Sequence, residues 1–541
     1  MREQLRVVIA VARDPGLARI ELAYLGFNMA EYATWMAILV YAYGLGGAGT
    51  AALVALVQLV PAGLVAPFAA FAGDRFRRDR VLLAGYIIQA ISLGATALAL
   101  YARVDLPLIL VAATVASTSF TITRPVQAAI LPSITHTPGD LTAANAVSGL
   151  AENTAIFIGP FIGGVILTVS EPAGVFAFFA VAMVASTMLV RRLPIEADGS
   201  AHQQATGARA ILSESFGGFA TLRRERRILL LVVALSSTTV VVGALDILFV
   251  AVAIDLLHAG AAWAGFLSSA FGFGGIIGAF ATVALVGRRR LTPAIAVSGG
   301  LLGLPISGLA SVATVVSAPA LFAVSGIGRS ITTMAGQTLL QRIAPEAVLA
   351  RVFGVLEGVS MFALALGCVG GGLLVEFVGV GPALVFTGLF VPAVLALSWL
   401  QLRALDRDAR PPDPEALALL RRIPIFAPMS ATSIERILAE LIRLDIPAGA
   451  TLIRQGDVGD RFYVLAEGRV RIERDGVLLR ENGPGDYFGE IALLRDVLRT
   501  ATVTALTPLR VIAIERDRFL EAVTGHSQSR EHAEAVVAAR P

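Results

Sequence analysis

The chain has 541 residues, 56% hydrophobic and 15% charged, with a formal net charge of +3 and a mean hydropathy of +0.76. That is too apolar for three or four soluble domains and points to a polytopic membrane protein. All 43 basic residues are Arg, which excludes a Walker-type phosphate loop, a lysine Schiff base and a lysine nucleophile.

The charge is unevenly placed. Residues 1–402 carry 23 Arg and 19 Asp+Glu, and residues 403–541 carry 20 Arg and 21 Asp+Glu, so a membrane part precedes a soluble one. The pI of 9.3 comes from Arg in loops between apolar spans rather than from a nucleic-acid surface. Cys368 is the single cysteine, which leaves neither a disulfide framework nor a thiolate metal cluster.

A window of roughly 19 residues predicts twelve spans in two sets of six. The first set lies near 17–43, 49–73, 81–102, 107–130, 143–168 and 172–190. The second lies near 228–255, 262–286, 292–314, 316–341, 351–377 and 380–402. Between them, 191–227 contains Ile211, Leu212, Phe216, Phe219 and Leu222 followed by Arg223, Arg224, Arg226 and Arg227, the pattern of an amphipathic helix on a membrane surface. Arginines follow spans two, six, eight and twelve, whereas the opposite loops hold only Arg103. The positive-inside rule then places both termini and the soluble tail in the cytoplasm. Met1 to Gly16 lacks the apolar core of a cleavable signal.

Ionisable groups inside spans are functional candidates, because each costs roughly 2.5 kcal/mol or more at the bilayer centre. In span one, Tyr24, Asn28, Glu31 and Trp35 share one helical face, expected to line a cavity. Asn145, Ser148 and Glu152 share a face in span five, as do Thr239, Gly243 and Asp246 in span seven. Glu31, Glu152 and Asp246 have two readings: groups that load and release a proton during transport, or structural partners of Arg124 or Arg329. Asp255 and His258, at the end of span seven, are expected to be interfacial. Gly159, Gly163 and Gly164 in span five recur as Gly367, Gly371 and Gly372 in span eleven, a repeat of about 208 residues that marks two halves derived from one unit.

Four local motifs in this region resemble those of the major facilitator superfamily, nearest its drug and siderophore efflux branch. Gly73-Asp74-Arg75-Phe76-Arg77-Arg78 after span two is similar to the family's G-x-x-x-D-R-x-G-R gate motif, with Ala70 and Arg77 where the family has glycine. Arg124-Pro125-Val126-Gln127-Ala128 resembles R-x-x-Q-G, and Gly159-Pro160-Phe161-Ile162-Gly163-Gly164 resembles the G-P-x-x-G-G element associated with export. Leu131-Pro132 followed by Ala144-Asn145-Ala146 also resembles the efflux branch. The resemblance implies alternating access, with Asp74, Arg75 and Arg78 in a cytoplasmic gate; a positive-inside anchor with a helix-capping aspartate is the alternative reading of those three. The small residues of span five also allow close helix packing for its own sake.

After span twelve, Arg403 to Pro414 is charged and proline-rich, the composition of a semi-rigid connector. Glu415 to Arg443 reads as helices interrupted at Pro424 and Pro428. Short alternating segments follow, with Gly449, Gly456, Gly468, Asp475-Gly476 and Gly483 as turns, predicting a small β-roll flanked by helices. Phe488-Gly489-Glu490-Ile491-Ala492-Leu493-Leu494, followed by Arg499-Thr500-Ala501-Thr502, combines a glycine-led helix start with a nearby arginine, which suits a phosphate. This run resembles the phosphate-binding cassette of cyclic nucleotide-binding domains. The resemblance implies that Glu490 holds the ribose 2′-hydroxyl and Arg499 the cyclic phosphate. The backbone of Gly489, Ile491, Ala492 and Ala501 would make the remaining contacts. It also makes Thr500 a position that bears on base choice, with cAMP favoured over cGMP and both open.

The expected fold is thus a twelve-span major facilitator fold plus a cytosolic β-roll. The expected domains are 1–190 and 228–402 as the two halves, 191–227 and 403–414 as linkers, and 415–541 as the nucleotide-binding domain with its tail. The expected function is proton-coupled efflux of a small molecule, with cyclic nucleotide as regulatory ligand and no covalent cofactor, metal or nucleic-acid partner. A lipid flippase or scramblase and a non-transporting nucleotide receptor are the alternatives. No G-x-S-x-G elbow, H-E-x-x-H or phosphate loop points to an enzyme.

Overall fold

Asp14 opens the first helix. Its Oδ1 accepts from the amides of Gly16 at 2.8 Å and Leu17 at 3.0 Å, with Pro15 at the first helical position, where a missing N–H does no harm. The computed structural model describes residues 14–75, 77–134, 138–191, 226–282, 290–343, 346–408, 414–426, 429, 434, 437, 438 and 441–524. The expected amphipathic helix of the 191–227 segment and the tail beyond Thr524 lie outside them. The chain divides into two units, a helical one holding most of the residues up to Ala409 and a second made mainly of those from Arg410 onward.

The helical unit comprises α1 (Pro15–Arg75), α2 (Arg78–Tyr101), α3 (Leu106–Ile134), α4 (Pro138–Leu167) and α5 (Pro172–Val190). It continues with α6 (Arg226–Ala251), a π-turn (Val252–Leu256), α7 (Ala262–Ala281), α8 (Thr292–Val312), α9 (Ser317–Ile343), α10 (Glu346–Val378), α11 (Val380–Leu397) and α12 (Trp399–Asp408). Helix α1 is 61 residues long and is broken at Gly46 and Gly47. Gly47, at φ 68° and ψ −159°, occupies a region open essentially to glycine alone, and the break separates expected spans one and two.

Ten of the described helices are long and apolar enough to cross a membrane. The expectation of twelve differs for two reasons. Spans one and two share α1, and α9, expected as span ten, carries Arg329 with a run of hydroxyl and amide side chains and falls outside the ten. Expected span twelve also ends earlier, at Leu397, and the first half of the connector read from Arg403 is helix α12. Thr292 Oγ1 donates to the Leu402 carbonyl at 3.1 Å, tying α12 to the start of α8.

The glycine repeat organises the packing. A Cβ on Gly159 would lie 2.8 Å from the Met29 carbonyl, one on Gly163 3.5 Å from Ala33, and one on Gly164 2.9 Å from the Ala262 carbonyl. So α4 lies hard against α1 of its own half and α7 of the other. The counterparts repeat this. Gly367 meets Val240, Gly371 meets Ala244 at 2.8 Å, and Gly372 meets the Ala48 carbonyl at 2.9 Å. Helix α10 therefore packs on α6 of its own half and on the second arm of α1.

The second unit opens with α13 (Pro414–Arg422) and holds two four-stranded antiparallel sheets. One has the order β1 (Ile442–Ile446), β8 (Leu509–Glu515), β3 (Arg461–Glu467), β6 (Tyr487–Phe488). The other has β2 (Thr451–Ile453), β7 (Thr502–Ala505), β4 (Val470–Arg474), β5 (Val477–Asn482). Alternation along β3 sends Phe462 and Val464 into a core with Leu420, Phe426 and Phe519, and Tyr463 and Leu465 into a core between the sheets with Val470, Val503 and Val511. Asp475 and Gly476 join β4 to β5 with φ of 51° and 78°, the paired positive values of a type I′ hairpin. The short α14 (Glu490–Leu494) follows β6, and α15 (Arg516–Thr524) follows β8.

Candidate functional site

The cassette read from the sequence forms one pocket of about 190 Å³. Gly489, Glu490, Ile491, Ala492, Arg499, Thr500 and Ala501 all line it. Gly489 precedes α14 at φ 91°, and a Cβ there would lie 2.7 Å from Arg499 Nη1. Glycine is therefore required twice, for its backbone angle and for the close arginine.

Arg499 is 4% exposed. Its Nη1 donates to the Gly489 carbonyl at 2.9 Å, and its Nη2 donates to the Arg461 carbonyl at 2.7 Å and to Asp460 Oδ1 at 3.2 Å. Its guanidinium carbon lies 5.9 Å from the centre of the Tyr463 ring. Burial, then the Asp460 charge, holds the Tyr463 phenol above its ordinary value, so the arginine sits over a neutral ring. Main-chain bonds also fix the arginine from both sides, Arg499 N to the Asp457 carbonyl at 2.8 Å and Gly456 N to the Arg499 carbonyl at 2.9 Å. A buried, pre-oriented cation beside a helix start makes an anion cradle.

Glu490, 1% exposed, is the first residue of α14. The Thr500 carbonyl accepts from Arg474 Nε at 3.2 Å, which turns a second guanidinium toward the pocket. Sequence reasoning passed over Asp460 and Arg474, whose places depend on pairings across 39 and 26 residues. Asp460 had one local signal, the Gly459-Asp460 step just before β3.

In the helical unit, the polar face expected on span one meets partners along its length. Arg124 of α3 reaches Glu31 Oε2 at 2.5 Å and Glu152 Oε1 at 2.9 Å, with Asn28 Oδ1 at 3.4 Å. Three of the expected residues thus gather on one arginine, and Asn28 also donates to the Tyr24 carbonyl at 2.8 Å. Trp35 Nε1 donates to Asp246 Oδ2 at 3.0 Å, joining α1 to α6. Arg329 lies over the Phe271 ring at 5.9 Å, so Arg124 is the cation that Glu31 and Glu152 share.

Arg78 Nη1 donates to the Ala129 carbonyl of α3 at 3.0 Å. Asp74 and Arg75 fall in the last turn of α1, and their side chains lie outside the described residues, as does that of Asn145. Two further pairs escaped the sequence reading. Ser148 donates to Glu21 Oε1 at 2.6 Å, and Tyr43 donates to Asp255 of the π-turn, which the sequence had placed only at an interface. The signal for Glu21 was available, since it extends the face of Asn28 and Trp35 at intervals of seven.

Among the described residues, contacts between halves run from one end of the bundle to mid-helix, where Ser269 Oγ of α7 donates to the Phe157 carbonyl of α4 at 2.8 Å and a Cβ on Gly272 would lie 2.7 Å from the Ile156 carbonyl. Tyr43 with Asp255, Trp35 with Asp246, Gly164 with Ala262, Phe161 with Phe266 and Gly372 with Ala48 all lie toward the Gly46–Gly47 break. Gly159-Pro160-Phe161-Ile162-Gly163-Gly164 is part of that seam, because a Cβ on Gly265 of α7 would lie 2.5 Å from the Pro160 carbonyl.

Residues 443–526 match the family model of the cyclic nucleotide-binding domain, and residues 20–355 match that of the Major Facilitator Superfamily. Among curated proteins, the chain is 43% identical over 79 residues to the cAMP-dependent protein kinase regulatory subunit of Dictyostelium discoideum, covering 13% of this chain and 24% of that protein. It is 31% identical over 127 residues to the CRP-like cAMP-activated global transcriptional regulator of Mycobacterium tuberculosis, covering 23% of this chain and 57% of that one. Among solved structures, the regulatory domain of Toxoplasma gondii PKA with cAMP aligns at 24% identity and a TM-score of 0.23, over 26% of this chain and 55% of that one. The chain therefore spans between about a quarter and somewhat over half the length of these relatives. With both regions matched, the chain belongs to the Major Facilitator Superfamily and is a multi-pass membrane protein that carries a cyclic nucleotide-binding domain in its C-terminal part.

Proposed function

We propose that this protein is a proton-coupled exporter of a small molecule, working by alternating access and regulated by a cyclic nucleotide bound at Arg499. Residues 1–190 and 228–402 act as the two moving halves, 191–227 and 403–414 as connectors, and 415–541 as a cytoplasmic sensor. The observation that carries the regulatory part is the buried Arg499 held beside the left-handed Gly489 and Glu490 in one pocket. In this reading Arg499 takes the cyclic phosphate, Glu490 the ribose hydroxyl, and the amides at the start of α14 the remaining phosphate oxygen. The relatives named for cAMP favour cAMP over cGMP.

Transport is supported by the seam between the halves, which among the described residues runs from the Gly46–Gly47 end to mid-helix. With both termini cytoplasmic, that end is the outer one, and the arrangement is a state closed outward. Export is supported by the glycine-proline element of α4, which lies in this seam, and proton coupling by the in-span carboxyl groups of α1 and α6. Nucleotide biases the state equilibrium only through different affinities for the two states.

The test uses everted vesicles containing the full chain and loaded with a pH-reporting dye. A panel of amphipathic cations, zwitterions and carboxylates, beginning with ethidium, is added with and without cAMP or cGMP. Proton movement evoked by a compound and altered by nucleotide is the expected result; a full panel without any such signal contradicts the reading.

A further inference from the structure

Glu21, in the first arm of α1, is 5% exposed. Its Oε1 accepts from Ser148 Oγ of α4 at 2.6 Å, and its Oε2 is buried with no hydrogen-bond partner among the described residues. Among the described residues, the polar groups beside Glu21 on the neighbouring helices are neutral. Gln127 of α3 donates to the Ile20 carbonyl at 3.4 Å, Tyr86 of α2 donates to Gln127 Oε1 at 2.7 Å, and Ser186 of α5 faces Gly26. On α1 itself, Arg19 projects about 200° away around the helix axis, and Tyr24 lies one turn on. Among the described residues no arginine forms an ion pair with Glu21, while Arg124 is engaged by Glu31 and Glu152.

The carboxyl groups of the N-terminal half therefore differ in kind. Glu31 and Glu152 share a cation. Glu21 has one neutral donor and no countercharge, and such a site accommodates the neutral acid rather than the ion. It nevertheless lies on the polar stripe of α1, seven residues before Asn28, about 15 Å along the axis from Glu31.

We propose that Glu21 is the proton-carrying group of the N-terminal half, a role that rests on the proton-coupled reading above. In the state seen here its carboxyl holds a proton. When the halves rearrange and water reaches Glu21 beside Ser148, the O–H bond breaks, the proton leaves to that water and a carboxylate remains. Closing the site to water requires a proton to be taken up again. Glu31 and Glu152, both paired with Arg124, are left to substrate binding.

Two measurements on the full chain in lipid test this. Infrared spectroscopy at neutral pH is expected to show a protonated-carboxyl C=O band that Glu21→Gln removes, Ser148→Ala shifts in frequency, and Glu31→Gln and Glu152→Gln leave in place. Glu21→Asp, which keeps an acid at the site, is expected to give a shifted band and covers the case in which the Gln variant folds poorly. In the everted-vesicle assay, Glu21→Gln is expected to lose the compound-evoked proton signal and Glu21→Asp to recover part of it. A band unchanged in Glu21→Gln, or a proton signal equal to wild type in that variant, overturns the assignment. A wild type silent with every compound defeats the transport reading and the carrier role with it, whereas a working wild type beside an equally working Glu21→Gln defeats the Glu21 assignment alone.

Discussion

Gly489 and Arg499 hold each other in place, because the arginine's Nη1 occupies the space a glycine Cβ would need. Gly489→Ala adds both a left-handed backbone strain of about 1–2 kcal/mol and a displacement of the arginine. We expect at least a roughly tenfold loss of cyclic nucleotide affinity, measured by calorimetry on the full chain. Glu490→Gln keeps the shape of the side chain and loses the charge that accepts from the ribose hydroxyl. A drop of about tenfold, matching a charged-to-neutral hydrogen bond, is the expected result, and affinity equal to wild type would contradict the ribose role. These residues were legible in the sequence because they are local: Gly489 to Ala501 is one turn, one short helix and one loop. Asp460, which steadies Arg499 from just before β3, was not, since only the folded sheet brings it there. In the same way the carboxyls of α1 and α4 could be listed from the sequence, but their division by Arg124 into paired and unpaired groups could not.

Helix packing, by contrast, was written into the glycine pattern. The repeat of Gly159, Gly163 and Gly164 as Gly367, Gly371 and Gly372 predicts two equivalent helices, and both pack on one helix of their own half and one of the other. What spacing could not reveal was which partners they meet, and that the export-associated element closes a seam. Gly164→Val tests this role, because its Cβ would approach the Ala262 carbonyl to 2.9 Å and the Phe266 ring to 3.0 Å. The arrangement closed at this seam, outward-closed in the proposed orientation, should lose about 1.4 kcal/mol or more, a tenfold shift in the state ratio. With the native Cys368 replaced by Ala and Ala48→Cys placed at the seam, thiol labelling from outside should accelerate by about that factor. Tyr43→Phe, which removes the donor to Asp255, should act in the same direction and by less. Labelling unchanged in both would show that these contacts do not hold the seam. The π-turn bearing Asp255 was invisible to hydropathy, since an extra residue in a turn leaves an apolar run apolar.

At the scale of the whole molecule, composition alone separated a membrane part from a soluble one, and the two family matches, 20–355 and 443–526, lie on either side of that division. Regulation is the property that belongs to the whole. A coupling of about 1–3 kcal/mol, or roughly 5–150-fold, is the usual size of such an effect, and by linkage nucleotide affinity must differ by the same factor between the two states. Gly164→Val should therefore change nucleotide affinity as well as seam labelling, although it touches no residue of the pocket. The prior question is whether the pocket takes a cyclic nucleotide through Arg499. Calorimetry of cAMP and cGMP on the full-length protein in lipid nanodiscs, beside Arg499→Lys, answers it most directly. Lysine keeps the charge but not the fork that bonds two oxygens at once. The account predicts micromolar or tighter binding of at least one nucleotide and a loss of about 2 kcal/mol, roughly 30-fold, in the variant. Absence of binding to a folded wild type, or equal affinity in Arg499→Lys, would contradict it.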